Sequence, residues 1–184
     1  EAFRALMKLK WQPAIRTVPA YYDAPAYIEA LARSVETTLA GLERRPDALV
    51  VSYHGMPKRY LEAGDPYHCQ CRKTSRLLRE RLGWAPEEVI TCFQSRFGRE
   101  EWLQPYTVEE VARLARAGKR RIAVIAPAFS ADCLETLEEI RVEIRAAYME
   151  AGGEEFTYIP CLNDQPDHIE MIAGIAEREL QGWL

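Results

Sequence analysis

Four short apolar runs rich in β-branched residues, each followed by a stretch of helical periodicity, leave this chain few folds to choose from. The runs are Ala48–Tyr53, Val89–Gln94, Arg121–Ala126 and Thr157–Leu162. The helical stretches are predicted over Cys71–Leu82, Val108–Ala117, Asp132–Ala151 and Pro166–Leu180. Gly83, Gly118 and the pair Gly152-Gly153 close the first three, as glycines past helix ends do. Thr107, with Glu110 three residues on, is predicted to cap the second in a capping box. Apolar runs of this kind are buried on both faces. Strands alternating with helices imply a parallel sheet with right-handed crossovers and helices on both sides. A further helix is predicted over Ala24–Leu42, where Tyr27, Ile28, Leu31, Val35 and Leu39 recur at three- and four-residue steps. Ala14–Pro19 reads as a short edge strand closed by its proline.

The 184 residues suffice for one full α/β domain with a sizeable core, and for a piece of a second. A net charge of −4, with no basic block longer than Lys119-Arg120-Arg121, argues against a nucleic-acid partner. No apolar run approaches the roughly 20 residues that span a bilayer, and no signal-peptide pattern opens the chain. Five cysteines at irregular spacing read as reduced cytosolic thiols. The opening from Glu1, AFRALMKLKW, reads like the middle of something longer, so a fragment is expected.

Chemistry collects at the strand ends. In LVVSYHGMPKRYLEAGD, His54 stands just beyond the first strand, where open α/β sheets bind their ligands. A neutral imidazole there can bind a metal or move a proton. The third run repeats the plan in IAVIAPAFSADCLETLEEI, leading into Ser130, Asp132 and Glu135. Glu135, Glu139 and Glu143 are spaced i, i+4, i+8 and so share one helix face. That stripe is either a solvated face relieved by Arg141 and Arg145, or a line of hard oxygen ligands passing a divalent cation toward the strand ends. His54 with Glu135 would suit Fe²⁺ or Zn²⁺. The loop from Phe93 through Phe97 to Trp102 suits a flat apolar ligand with a charged edge, with satellite core as the alternative for its aromatics. Cys69 and Cys71, beside His68, fall short of a zinc-site spacing. His168 is expected at the surface.

Together, SYHGMPKRYLEAGDPYHCQC, FQSRFGREEWLQPYT and PAFSADCLETLEEI resemble ferrochelatase of the proteobacterial type, across nearly the whole chain in one order and register. The resemblance implies insertion of Fe²⁺ into protoporphyrin IX to make protohaem, with loss of two pyrrole protons. It implies two Rossmann-like, chelatase-type α/β domains, each a parallel sheet flanked by helices. Residues 1–23 would end the N-terminal one; residues 24–184 would be the C-terminal one with its leading linker helix. His54 and Glu135 become the catalytic pair and iron ligands, and Glu139 and Glu143 the path for iron from outside. Tyr53, Met56, Gln94, Ser95, Trp102 and Asp132 are placed at the porphyrin. Cys133 stands where many members carry a second histidine. No resident cofactor is required, although an internal 2Fe–2S cluster on Cys69 and Cys71 remains open. The expected partners are protoporphyrin IX and Fe²⁺. The expected location is the cytoplasm or, peripherally, the inner face of the cell membrane. The fragment alone is expected to be inactive, since a planar macrocycle needs walls on both faces. The rivals are a cobalt or nickel chelatase of the same architecture, and a non-catalytic metal- or tetrapyrrole-binding module.

Overall fold

In the computed structural model, which describes residues 1–183, the apolar runs form strands β1 (Ala48–His54), β2 (Val89–Gln94), β3 (Arg121–Ile125) and β4 (Glu155–Ile159). They pair in parallel in the order β2-β1-β3-β4. The α-helices are α1 (Ala2–Leu6), α2 (Pro25–Ala40), α3 (Lys58–Glu62), α4 (Tyr67–Leu82), α5 (Thr107–Arg116), α6 (Arg145–Glu150) and α7 (Pro166–Leu180). A π-helical stretch, Glu135–Ile144, runs directly into α6.

β1 lies inside the sheet and is covered on both sides. Leu49 and Val51 face a cluster built from α2, α4 and α7, with Leu31, Leu78 and Ile175 among its members. Ala48 and Val50 face a second cluster from α5, the π-helix and α6, with Leu114, Ile140 and Tyr148. Strand side chains alternate between faces, so two covered faces demand an unbroken apolar run. Each aliphatic side chain so buried contributes about 1.5–3 kcal/mol.

The order of the strands opens a site. From β1 the chain leaves through α3 and α4 to β2 on one side, whereas from β3 it leaves through the π-helix and α6 to β4 on the other. The loops after β1 and β3 therefore part to opposite faces of the sheet. A crevice forms between them at the carboxyl ends, the switch point where such sheets bind ligands.

Four expectations need correction. Ala14–Pro19 forms no strand, because no strand among the described residues offers it a ladder; its Arg16 instead donates to the Glu179 and Gln181 carbonyls and lies 4.7 Å from the Trp183 ring. Thr107 is no cap: it is 1% exposed and its hydroxyl shares a 2.8 Å hydrogen bond with Ser52. α4 starts at Tyr67, earlier than expected, where the Asp65 carboxylate accepts from the Tyr67 N–H at 2.9 Å. Much of Asp132–Ala151 is π-helical, which apolar spacing alone does not distinguish from α.

The glycine pair after α6 divides two tasks. Gly152 takes φ +100°, and a Cβ on Gly153 would lie 2.2 Å from the wholly buried Tyr148 ring. Gly153→Ala should overpack this contact and cost about 1–3 kcal/mol, read as a lower urea midpoint at unchanged m-value. An unchanged midpoint would mean that the Tyr148 ring yields freely.

Candidate active site

The crevice is built from where β1 stops. His54, exposed, pairs with Gln94 of β2, and the next residue turns away. The Gly55 N–H donates to the Gln94 carbonyl at 2.7 Å, and a Cβ on Gly55 would meet that oxygen at 2.7 Å and the Trp102 ring at 3.0 Å. Only glycine fits. Beyond it, Leu103 N–H donates to Met56 O and Lys58 N–H to Glu101 O, both at 2.9 Å, so the Trp102 segment runs antiparallel beside Pro57. Tyr67 OH donates to the His54 carbonyl at 2.9 Å.

The imidazole of His54 sits between two rings, 6.4 Å from Trp102 and 6.3 Å from Phe129 by centroids. Its Nδ1 lies 2.7 Å from the Gly55 carbonyl. A carbonyl only accepts, so Nδ1 carries the proton and the lone pair is on Nε2. Nε2 has no protein partner among the described residues.

The opposite lip follows β3. Tyr27 of α2 donates to the Pro127 carbonyl at 2.5 Å. The Asp132 carboxylate accepts from Tyr158 OH at 2.5 Å, Asn163 Nδ2 at 2.7 Å and Thr136 Oγ1 at 3.1 Å. Partial burial opposes ionisation of Asp132, but these donors outweigh it and hold the carboxyl below the usual range. Glu135 is held low as well, first by the Cys133 thiol and then by its own backbone N–H. Burial and the Glu135 carboxylate push the Cys133 thiol up, so it serves as a donor and not as a thiolate.

The structure separates the expected porphyrin residues. Trp102 flanks His54 and is half-buried, as are Met56 and Asp132. Gln94 does not face a ligand: it is 4% exposed, its amide oxygen accepts from Ser52 at 2.6 Å, and its amide nitrogen donates to the Glu135 carbonyl at 2.8 Å. Tyr53 is likewise a core residue, 2% exposed, sharing a 3.0 Å hydrogen bond with Ser75. Ser95, at φ +62°, gives its N–H and its hydroxyl to the Glu139 carboxylate, both at 2.6 Å. Glu139 is therefore no free carboxylate on a path; with Gln94 Nε2 also donating at 3.2 Å, it fastens the π-helix to the end of β2. Glu143 is exposed and, with Glu109, Glu139 and Ser95, lines a cavity of about 210 Å³. Arg141 and Arg145 do not relieve the acidic stripe: they line a different cavity with Asp132 and Tyr158, and neither forms an ion pair among the described residues.

Cys69 is exposed, whereas Cys71 is buried and its thiol pushed up to about 12 by that burial. Residues two apart on an α-helix point about 200° apart, so the pair does not fit a shared iron–sulfur cluster. Among the described residues, no three His, Cys, Asp or Glu side chains gather around one point. His168 is not at the surface: it is 3% exposed, and its Nδ1 donates to the Asn163 carbonyl at 2.6 Å. Sequence reasoning missed Gly55, Tyr27, Tyr67 and Asn163 as builders of the site. Only Gly55 had a local signal, as a glycine directly after a strand-end histidine.

Solved structures share the architecture. SirB from Bacillus subtilis, solved with Fe³⁺, superposes with a TM-score of 0.53 at 16% identity over 84% of this chain and 55% of that one. DR2241 of Deinococcus radiodurans, described as a multi-domain protein with structural similarity to chelatases, gives 0.57 at 14% identity over 91% of this chain and 35% of that one. The fold is thus of the chelatase class. The chain belongs to the ferrochelatase family, whose model matches residues 1–180. It is 66% identical to a ferrochelatase of Rhodobacter capsulatus over 99% of this chain and 52% of that protein. It is 59% identical to one of Allorhizobium ampelinum over 100% of this chain and 54% of that protein. The chain spans about half the length of the curated relatives it matches.

Gly55→Ala should push Trp102 away from the Gln94 carbonyl and cost about 1–3 kcal/mol. Trp102→Leu in the same background should return part of that loss by freeing space at the ring. Full additivity of the two changes would show that Trp102 is not what Gly55 accommodates.

Proposed function

We propose that the full-length protein carrying this chain inserts Fe²⁺ into protoporphyrin IX, and that this chain supplies the His54–Glu135 side of the cleft. The observation that carries the reading is the match of residues 1–180 to the ferrochelatase family, in a chain whose His54 stands at the switch-point crevice with Nε2 unengaged among the described residues.

Metallation requires two pyrrole protons to leave while iron sheds its water. A neutral imidazole suits the first task, so His54 Nε2 takes the two pyrrole protons in turn and passes each to solvent. An ionised carboxylate suits the second, so Glu135 receives the iron. Two protein groups leave most coordination positions open, as a metal that is substrate and must depart requires. The surroundings of the imidazole are apolar: Trp102 and Phe129 flank it, and Leu134, next to Glu135 in the chain, is 75% exposed. The cavity beneath, lined by Tyr27, Tyr53, Tyr67 and Phe129, holds about 220 Å³. That is below the size of usual ligand pockets. The macrocycle therefore lies across the mouth, and its second wall comes from the part of the relatives' length that this chain does not span. Residues 1–23, as the end of that other domain, belong to the same reading, with 24–184 as the second domain.

Iron reaches Glu135 by way of Glu143 and its cavity, with Glu139 as brace. An apolar substrate fits a cytoplasmic protein working at the inner face of the cell membrane; no helix among the described residues is long and apolar enough to cross one.

In the full-length protein, anaerobic iron insertion followed by loss of porphyrin fluorescence should fall about a hundredfold or more in His54→Ala, with porphyrin binding and melting temperature retained. Activity above about a tenth of wild type would overturn the assignment of the base. Glu143→Gln should raise KM for Fe²⁺ and leave kcat and porphyrin affinity unchanged. Glu139→Gln should also lower the melting temperature, since Ser95 loses a charged acceptor. Unaltered iron kinetics in Glu143→Gln would remove the cavity from the path.

A further inference from the structure

Asn163, in the turn after β4, takes φ +48°, a left-handed conformation that asparagine tolerates better than most side chains. From there every polar atom it owns is engaged. Its N–H donates to the Ser130 carbonyl at 2.9 Å, and its Oδ1 accepts from the Asp132 N–H at 2.8 Å. Its Nδ2 donates to Asp132 Oδ2 at 2.7 Å and to the Cys161 carbonyl at 3.0 Å. Its carbonyl accepts from the buried His168 at 2.6 Å. One residue thus ties the start of α7 to the irregular loop that leads from β3 to Glu135.

The tie continues to the site. Asp132 accepts from Thr136 Oγ1 at 3.1 Å, and that same oxygen accepts from the Cys133 N–H at 2.9 Å. Glu135 lies between Cys133 and Thr136 in the chain, the two residues that this bond joins. We propose that Asn163 is a positioning residue for Glu135: it clamps Ser130–Asp132, so that the turn from Cys133 to Thr136 sets the carboxylate at the mouth of the crevice. The proposal rests on the reading of Glu135 as the group that receives iron. Asparagine is specified at this place. An aspartate would put a second carboxylate against Asp132, a glutamine is one methylene too long, and a glycine keeps the backbone but loses the clamp.

The test uses the full-length protein. Asn163→Gly retains the left-handed backbone, so it should fold. It should raise KM for Fe²⁺ about fivefold or more while porphyrin affinity, read by fluorescence quenching, stays within about twofold. Asn163→Asp should be impaired in the same way, because it sets a second carboxylate against Asp132. The exchange Asp132→Asn/Asn163→Asp restores a donor opposite a carboxylate and should return KM for Fe²⁺ toward wild type. Unchanged iron kinetics in Asn163→Gly would overturn the proposal, as would a fall in kcat, both affinities and melting temperature together with no recovery in the exchange. A second readout is independent of turnover: amide hydrogen exchange in Asn163→Gly should accelerate over residues 130–136 and not in the strands. If wild type inserts no iron, the ferrochelatase reading fails by itself; protection of 130–136 unchanged in Asn163→Gly would then sink the clamp as well.

Discussion

The place where β1 ends is the constraint on which the rest of the site depends. β1 is paired on both edges and packed on both faces, with Leu49, Val50 and Val51 wholly buried. A slip of one residue would carry each of these side chains to the opposite face, so the register is strongly fixed. His54 therefore reaches the crevice at a position set by the core. Gly55 then brings the chain against the Gln94 carbonyl and the Trp102 ring, and its own carbonyl fixes the imidazole tautomer. The ring nitrogens are thus oriented by a backbone carbonyl.

The acidic side follows a different logic. Asp132 and Glu135 are kept ionised chiefly by neutral donors (an amide, a phenol, a thiol and backbone N–H groups) and not by arginine or lysine. Hydrogen bonds lower a carboxyl pKa without cancelling its charge. The negative charge thus remains unneutralised. Equal sequence spacing also hides unequal environments: Glu135 stands at the crevice, Glu139 is consumed by Ser95 and Gln94, and Glu143 meets solvent.

Tyrosines hold the lips in place from below. Tyr27 reaches the Pro127 carbonyl and Tyr67 the His54 carbonyl, one on each side of the crevice. Burial pushes both hydroxyls far up, so each remains a donor well above neutral pH. A tyrosine serves here because its ring belongs to the core while its hydroxyl reaches a loop. The same helices that seal one face of the sheet thereby anchor the loops of the site.

The sequence by itself determined the four strands, their alternation with helices in a parallel sheet and the placing of His54 at the end of the first strand, because apolar runs and helical period are local properties of the chain. Glycine stops and the strand-end motifs were legible for the same reason. Whether Glu139 is free or bonded, whether Gln94 and Tyr53 face a ligand or the core, and whether His168 is wet or buried were decided only by tertiary structure. Each depends on a partner 5 to 45 residues away in the chain, and no local pattern encodes such a partner. Asn163 shows this most clearly. Its sequence neighbours suggest a turn, yet its amide is spent on a loop 31 residues upstream, because packing α7 against the sheet brings the two carboxyl-end loops within hydrogen-bonding reach.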